Sequence, residues 1–222
     1  MKRAFAPACG LAYPILLILG DDVIAAVAGE APGRGASPEQ VASWAAASDA
    51  ARFYAGRFIG GVLAPLALLI FVAYVASGLR RKVPGWRAET ALSAGVLAAG
   101  LQALAVPLHF AAVRGSTDLD PAILVMLAVD LIEIWALGFA FLAVFLLIAG
   151  SVGVKNELMA SWIGWSALVL GAGMLAGAFV SSVAETEVGL AFVPVALLWF
   201  IWLPAASISM MLRAVRNTDP AS

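Results

Sequence analysis

Two carboxylates in a long apolar run are the residues of this chain best suited to do chemistry. Asp130 and Glu133 lie in the stretch 121–150, whose other residues are almost all Ile, Leu, Val, Ala, Phe, Gly, Met or Trp. Their three-residue spacing predicts that both side chains lie on one face of a helix. Acidic groups are costly inside a bilayer, so such a pair indicates proton, cation or ligand handling.

Counting along the neighbouring apolar stretches places further polar groups at a similar depth. With ~1.5 Å of rise per residue, Asp130 and Glu133 lie ~14 and ~18 Å from the outer end of their helix. His109 and Gln102 lie ~6 and ~17 Å from the outer end of the preceding helix. Because His109 and Gln102 are seven residues apart, they share a helix face. The count predicts that Gln102 and Glu133 lie at the same level on adjacent antiparallel helices.

Three charged residues of the first two apolar stretches belong to the same layer. Asp21 and Asp22 fall in the outer part of the first stretch, and Arg57 lies about one turn inside the second. Arg57 is the one basic side chain that this arrangement predicts within reach of the acids. The sequence therefore predicts a polar layer between the membrane midplane and its outer surface.

Two interpretations of this layer remain open. In a structural interpretation, Arg57 forms an ion pair with one of three acids, Asp21, Asp22 or Asp130. Glu133 is then protonated or hydrogen-bonded to the Gln102 side chain. In a functional interpretation, the same groups line an outward-facing cavity that binds a proton, a cation or a small polar molecule. The excess of acids over the single Arg57 favours the functional interpretation.

The sequence offers little for metal, cofactor or hydrolytic chemistry. The single histidine, His109, argues against bis-His haem and most catalytic zinc sites, and the single cysteine, Cys9, excludes an intramolecular disulfide. We interpret Cys9 as a buried small hydrophobe. There is no GxSxG or P-loop pattern. We therefore predict neither a metal site nor a cofactor, and the formal net charge of −1 gives no reason to expect nucleic acid as a partner.

Composition makes the chain an integral membrane protein. Of its 222 residues 63% are hydrophobic and 12% charged, with a mean hydropathy of +0.99. A soluble domain has about 45–50% apolar and ~25% charged residues. Six stretches have the length that a membrane span needs, about 20 residues. These predicted spans are 5–28, 54–79, 90–113, 121–150, 162–183 and 188–212.

Charges in the connections predict the orientation of the bundle. Basic residues concentrate on one side: Lys2, Arg3, Arg80, Arg81, Lys82, Arg87, Lys155, Arg213 and Arg216. On the other side, arginines are diluted by acidic residues. The positive-inside rule therefore predicts that both termini are cytoplasmic. Trp86, Trp162 and Trp165 lie at the cytoplasmic ends of spans, where we predict interfacial anchors.

The N-terminal stretch and the first external loop need separate interpretation. Lys2 and Arg3 before an apolar run resemble a signal peptide, but we interpret 5–28 as a retained first span because five further spans follow. In the external loop 29–53, Ser37, Pro38 and Gln40 form a capping-box pattern that predicts a short helix. We expect this helix to cap the helix ends, with a substrate-gating lid as the alternative.

Small residues supply candidate packing faces. Gly56 and Gly60, and likewise Gly173 and Gly177, have the GxxxG spacing that lets membrane helices approach closely. These faces serve either the fold or a homo- or hetero-oligomer, and the sequence does not choose between them. The other expected partners are the lipid bilayer and a small polar ligand or ion.

The order of these features resembles a bacterial family of six-helix integral membrane proteins classed as a domain of unknown function. The residues that carry the resemblance are the approach to the second span, 48–53 (Ser-Asp-Ala-Ala-Arg-Phe), the acidic and aromatic fourth span, and the Trp162-Ile163-Gly164 start of the fifth. The resemblance implies the fold and no activity. High Ala, Gly and Val usage and the preference for Arg over Lys are also typical of a GC-rich bacterial source.

The sequence thus predicts an all-α, six-helix bundle in a bacterial cytoplasmic membrane, with three hypotheses for its function. The first is an ion- or small-molecule-binding protein of transporter or sensor type that uses the outer cavity. The second is a non-catalytic accessory or scaffold subunit. The third is an intramembrane enzyme that uses Asp130 or Glu133 as acid or base.

Overall fold

The protein is helical throughout the part that the structure describes. The computed structural model describes residues 2–28, 36–47, 50–115, 119–128, 132–156, 159–183 and 189–216, and these ranges contain no strand. The helices are α1 (Lys2–Ala28), α2 (Pro38–Ala47), α3 (Ala50–Phe58), a π-helical turn (Ile59–Leu63), α4 (Ala64–Lys82), α5 (Trp86–Arg114), α6 (Pro121–Ala128), α7 (Ile132–Asn156), α8 (Ser161–Val183) and α9 (Gly189–Arg216). The predicted all-α class is confirmed.

In the described part of the chain, four segments are long and apolar enough to cross a membrane. They are Phe53–Lys82, Trp86–Arg114, Leu137–Lys155 and Ser161–Phe179, and they overlap the second to fifth predicted spans, although the third begins 16 residues after the predicted start of the fourth span at Pro121. Two shorter apolar segments, Phe5–Asp21 and Leu197–Arg213, lie within the first and sixth.

The end of α7 differs from the predicted end of the fourth span. The helix continues to Asn156 rather than stopping at Gly150. Ser151 does not interrupt it, because its hydroxyl donates a hydrogen bond of 2.9 Å to the carbonyl of Ile148. Val152 remains fully buried in the core beyond that point. The packing of Val152 in the core therefore extends the helix past Gly150 and Ser151.

The six long helices form a closed ring that follows chain order. Helix α1 packs against α4 and α9, α4 against α5, α5 against α7, α7 against α8, and α8 against α9. Short connections favour such packing between consecutive antiparallel helices. Large buried side chains fill the ring, among them Tyr13, Phe71, Phe145 and Trp199. Cys9 is also buried in this core, in keeping with its interpretation as a small hydrophobe.

The outward surface of the ring is strongly apolar. Large hydrophobic side chains are exposed on every long helix of the ring, for example Ile15, Ile18, Ile70, Leu97, Leu104, Leu137, Val169, Phe179 and Ile201. A water-soluble monomer rarely exposes such continuous apolar surface. A bilayer around the ring accounts for it, because lipid tails cover these side chains without cost.

The tightest helix contact joins α1 to the segment around the π-helical turn. A methyl group added at Gly20 would lie 2.5 Å from the Cα of Gly60 and 2.8 Å from the carbonyl oxygen of Gly56. The face formed by Gly56 and Gly60 is therefore filled by α1 of the same chain. The second small-residue face contacts α9 more loosely, since a methyl group at Gly173 would lie 3.6 Å from Val195.

The π-helical turn interrupts the second predicted span without ending it. The N–H of Ala64 donates to the carbonyl of Ile59, five residues earlier, where an α-helix would bond four residues earlier. Gly60 and Gly61 are buried within this turn. Single π-helical turns inside α-helices often mark functional sites.

Helix α2 lies at the end of the bundle where α5 finishes, hereafter the α2 end. The predicted capping box is confirmed: the N–H of Gln40 donates to Ser37 Oγ at 3.3 Å, and the N–H of Ser37 donates to Gln40 Oε1 at 2.8 Å. Val41 is fully buried against Ala112 and Leu124 of α5 and α6. The helix predicted in the external loop therefore exists and packs on the helix ends.

The contact at Gly20 gives a test of the fold. Gly20→Ala should lower the stability of the purified protein by about 1–3 kcal/mol, because the new methyl group meets the rigid backbone of Gly60. Gly100→Ala is the matched control, since a methyl group there meets no atom within 4 Å. Thermal unfolding in detergent measures both. An unchanged melting temperature for Gly20→Ala would contradict the α1 packing.

Candidate functional site

Four of the polar residues singled out in the sequence line a single pocket near the α2 end. Asp21 comes from α1, Arg57 from α3, and Gln102 and His109 from α5. The two residues of α5 reach the same pocket because seven residues make about two helical turns.

Small residues make room for this pocket. Its remaining walls are Leu17 of α1, Gly60 and Gly61 of the π-helical turn, and Ala105 and Val106 of α5. The centre of a water molecule can occupy about 10 Å³ of the pocket, and the empty space including its open mouth is about 240 Å³. The inner part of the pocket therefore has room for about one water-sized particle.

Tyr13 fixes the orientation of Gln102. The Tyr13 hydroxyl donates a hydrogen bond of 3.1 Å to Gln102 Oε1, and the two side chains are 0% and 1% exposed. The Tyr13 ring lies edge-on to Trp199 at 6.4 Å between ring centroids and parallel to Phe200 at 6.5 Å. Helix α9 therefore holds the tyrosine, and the tyrosine holds the amide at the pocket wall.

The hydrogen bond uses the acceptor of Gln102 but not its donors. Among the described residues, Gln102 Nε2 is buried and has no hydrogen-bond partner, and the same is true of Arg57 Nε. Burying a polar group without a partner costs about 1–3 kcal/mol, so native proteins rarely leave such groups unpaired. Since both side chains line the pocket, a water or ligand in the pocket is the natural partner for both nitrogens.

The charges at the pocket are of opposite sign and differ in exposure. Arg57 lies over the face of Phe53, with its guanidinium carbon 5.5 Å from the ring centroid, and its Nε is buried. Asp21 is exposed and interacts electrostatically with Arg57. The positive charge therefore lies deeper among protein atoms than the negative charge.

Aromatic side chains connect α2 to the helices that line the pocket. Phe53 packs edge-on against Trp44 of α2 at 5.7 Å and against Phe110 at 6.4 Å. Tyr54 accepts a hydrogen bond of 2.7 Å from Arg114 Nε. The cluster ties α2, α3 and α5 together, and Arg57 lies against its Phe53 ring.

The acidic residues of the fourth predicted span cannot be placed at this site. Asp130 lies outside the described residues, and so do the side chains of Asp22 and Glu133, although the backbones of these last two belong to α1 and α7. A methyl group at Gly138 would lie 3.9 Å from Gln102 Cγ, so Gly138 is level with Gln102. Glu133 is five residues, ~7.5 Å along the helix, nearer the α2 end. Because the Glu133 side chain is outside the described residues, the predicted common level of Glu133 and Gln102 stays a prediction.

Sequence reasoning missed Tyr13 and the π-helical turn. Tyr13 was counted with the apolar residues of the first span, although a phenol hydroxyl buried in a membrane protein needs a partner. The consecutive pair Gly60 and Gly61 was the available signal for irregular backbone, but Gly60 was interpreted only as part of a GxxxG face. Neither signal gives the geometry without the neighbouring helices.

Metal binding finds no support in the described part of the chain. It contains no group of three or more His, Cys, Asp or Glu side chains arranged to hold a metal ion.

Comparisons with known proteins found no matching family model, no similar curated protein and no similar solved structure. The resemblance to a bacterial six-helix family therefore stays a prediction, and the site must be interpreted from its own geometry.

The bond between Tyr13 and Gln102 can be tested by a double-mutant cycle. Tyr13→Phe should destabilise the protein by about 1–3 kcal/mol, because it leaves the buried Gln102 Oε1 without its donor. In the background of Gln102→Leu the same change should cost about 1 kcal/mol less, since the acceptor is already gone.

The matched control pairs Tyr13→Phe with Ser166→Ala on α8, whose hydroxyl bonds only within its own helix, to the carbonyl of Ile163 at 3.0 Å. That pair should be additive. Additivity between Tyr13→Phe and Gln102→Leu as well would contradict the bond.

Proposed function

We propose that the chain is a six-span protein of a bacterial cytoplasmic membrane with both termini inside. The first and last helices, α1 and α9, have 27 and 28 residues, about 40 Å at ~1.5 Å per residue. This length exceeds the ~30 Å hydrocarbon core. The basic residues of the connections support the cytoplasmic placement of the termini. The α2 end is then the outer end.

We infer further that the protein binds a small polar molecule or ion in the outer-half pocket. The observation that carries this proposal is the pair of buried, unpartnered nitrogens at the pocket wall, Gln102 Nε2 and Arg57 Nε. A layer of polar side chains that served only to hold helices together would satisfy its own hydrogen bonds. The bond of Tyr13 to Gln102 fits that structural role, but the two unpaired donors do not.

The pocket suits transport or sensing better than catalysis. Helix α2 contacts Phe53 of the helix that carries Arg57, and the π-helical turn adds an irregular segment to the pocket wall. Elements of this kind allow a site to open and close with little loss of packing. Asp130 and Glu133, on which an enzymatic function would depend, are not among the residues that support this proposal.

Reaction of introduced cysteines with externally added Ag⁺ tests the proposal. In a Cys9→Ala background, Ala105→Cys should react, because Ala105 lines the pocket although only 2% of it is exposed. Leu104→Cys should not react, because Leu104 faces outward from the ring, where lipid excludes the ion. A thiol that has reacted with Ag⁺ can no longer be labelled by maleimide once the protein is denatured. The loss of maleimide labelling therefore measures the Ag⁺ reaction at both positions.

Two further cysteines fix the side of entry. Ser43→Cys on the exposed face of α2 should react in intact cells, and Lys82→Cys at the opposite end only after permeabilisation. The reverse pattern at these two positions would overturn the orientation. An Ala105→Cys that fails to react with Ag⁺ alongside a reactive Ser43→Cys would overturn the hydrated outer pocket.

A further inference from the structure

We infer that the ligand of this pocket is a small monovalent anion of about halide size. The inference rests on the proposed function, because it assumes that the pocket is occupied from outside, and it adds the chemical class of the occupant. It also reverses the expectation raised by the acidic residues of the sequence, which suggested a proton or a cation.

The hydrogen-bonding character of the pocket wall selects an acceptor. Both buried nitrogens without partners, Arg57 Nε and Gln102 Nε2, are donors. The acceptor of the glutamine, Oε1, is already used by the Tyr13 hydroxyl. A cation needs oxygen or nitrogen lone pairs around it. The two buried atoms of the wall offer N–H groups instead, and the carboxylate of Asp21 is at an exposed position of the lining, so the buried part of the pocket binds an electron-rich particle more strongly than a cation.

The charge distribution favours an anion over a neutral acceptor. The guanidinium of Arg57 is permanently charged, and its Nε is buried, so its attraction for an anion is weakly screened. Asp21 carries the opposing charge, but it is exposed and its effect is more strongly screened. Hydrogen bonds from a charged donor to an anion are roughly twice as strong as neutral ones.

The dimensions of the pocket limit the anion to one or a very few atoms. About 10 Å³ is open to the centre of a water-sized particle, which leaves no room for a carboxylic acid with a side chain or for a sugar. Gly60 and Gly61 keep the opposite wall free of side chains. A Cβ added at Gly61 would collide with Val106 Cγ2, and one added at Gly60 would lie 3.3 Å from the Cα of Gly20, so both positions exclude a side chain.

Anion-dependent stability of the full-length protein tests the inference. In nanodiscs at constant Na⁺ and ionic strength, replacing gluconate by chloride or bromide should raise the melting temperature in a saturable way. Gluconate is too large for the pocket and serves as the reference anion. Line broadening of the ³⁵Cl resonance, reversed by bromide, measures occupancy independently of stability.

Variants of the wall connect the effect to the site. Gln102→Leu and Arg57→Lys should each weaken the apparent chloride affinity about tenfold or more, the loss expected when one charge-assisted hydrogen bond disappears. Arg57→Lys keeps the positive charge but replaces the five N–H donors of the guanidinium, Nε among them, by the three of an ammonium group. Ser166→Ala, distant from the pocket, should bind chloride as the unmodified protein does.

The outcomes separate this inference from the proposed function. The anion inference would be overturned by equal melting temperatures in chloride and gluconate. It would also be overturned by a chloride effect that survives both Gln102→Leu and Arg57→Lys. If Ala105→Cys still reacts with external Ag⁺ in that case, the proposed polar-ligand pocket stands with a different occupant. If Ala105→Cys does not react with Ag⁺, the proposed function falls as well.

Discussion

Polar groups buried inside a membrane protein must find their hydrogen-bond partners in the protein itself or in what it binds, because lipid supplies no partner. In this chain that constraint bears most heavily on Gln102, which is 1% exposed in the middle of α5. Tyr13 satisfies its oxygen from α1, and nothing described in the chain satisfies its Nε2. The pocket beside it has the size of the missing partner. The bundle therefore satisfies part of its buried polar chemistry and leaves the rest to an occupant.

The geometry that permits this depends on backbone-to-backbone contact. Gly20 of α1 lies against Gly56 and Gly60, and this contact brings Asp21 of α1 and Arg57 of α3 to the pocket that Gln102 of α5 also lines. The π-helical turn at Ile59–Leu63 occurs at this approach. Packing and function are thus coupled, because the glycines that allow the helices to meet also leave the pocket without side chains on one wall.

Much of the architecture could be predicted because it follows from local patterns. Apolar length identified the four segments able to cross a membrane, and the spacing of Ser37 and Gln40 identified the start of α2. Helical periodicity and depth brought together Gln102 and His109, and depth alone added Arg57. The relative level of neighbouring helices could not be derived in this way, since helix tilt and stagger depend on contacts between helices that no single segment encodes.

The donor character of the pocket could not be derived from the sequence. Composition pointed to an acidic layer, since Asp21, Asp22, Asp130 and Glu133 outnumber Arg57. What decides the chemistry is which atoms are already paired, and that depends on Tyr13, an aromatic residue that periodicity counts as apolar. Residue types predicted where polar chemistry would be, whereas hydrogen-bond partners determine what it can bind.

The most direct measurement is a density map of the protein in a lipid nanodisc with chloride or bromide present, at a resolution that shows ordered water. The account predicts a discrete non-protein feature in the pocket within about 2.7–3.3 Å of both Arg57 Nε and Gln102 Nε2. It would be contradicted by a pocket closed by protein side chains, with both nitrogens donating to groups of the chain itself.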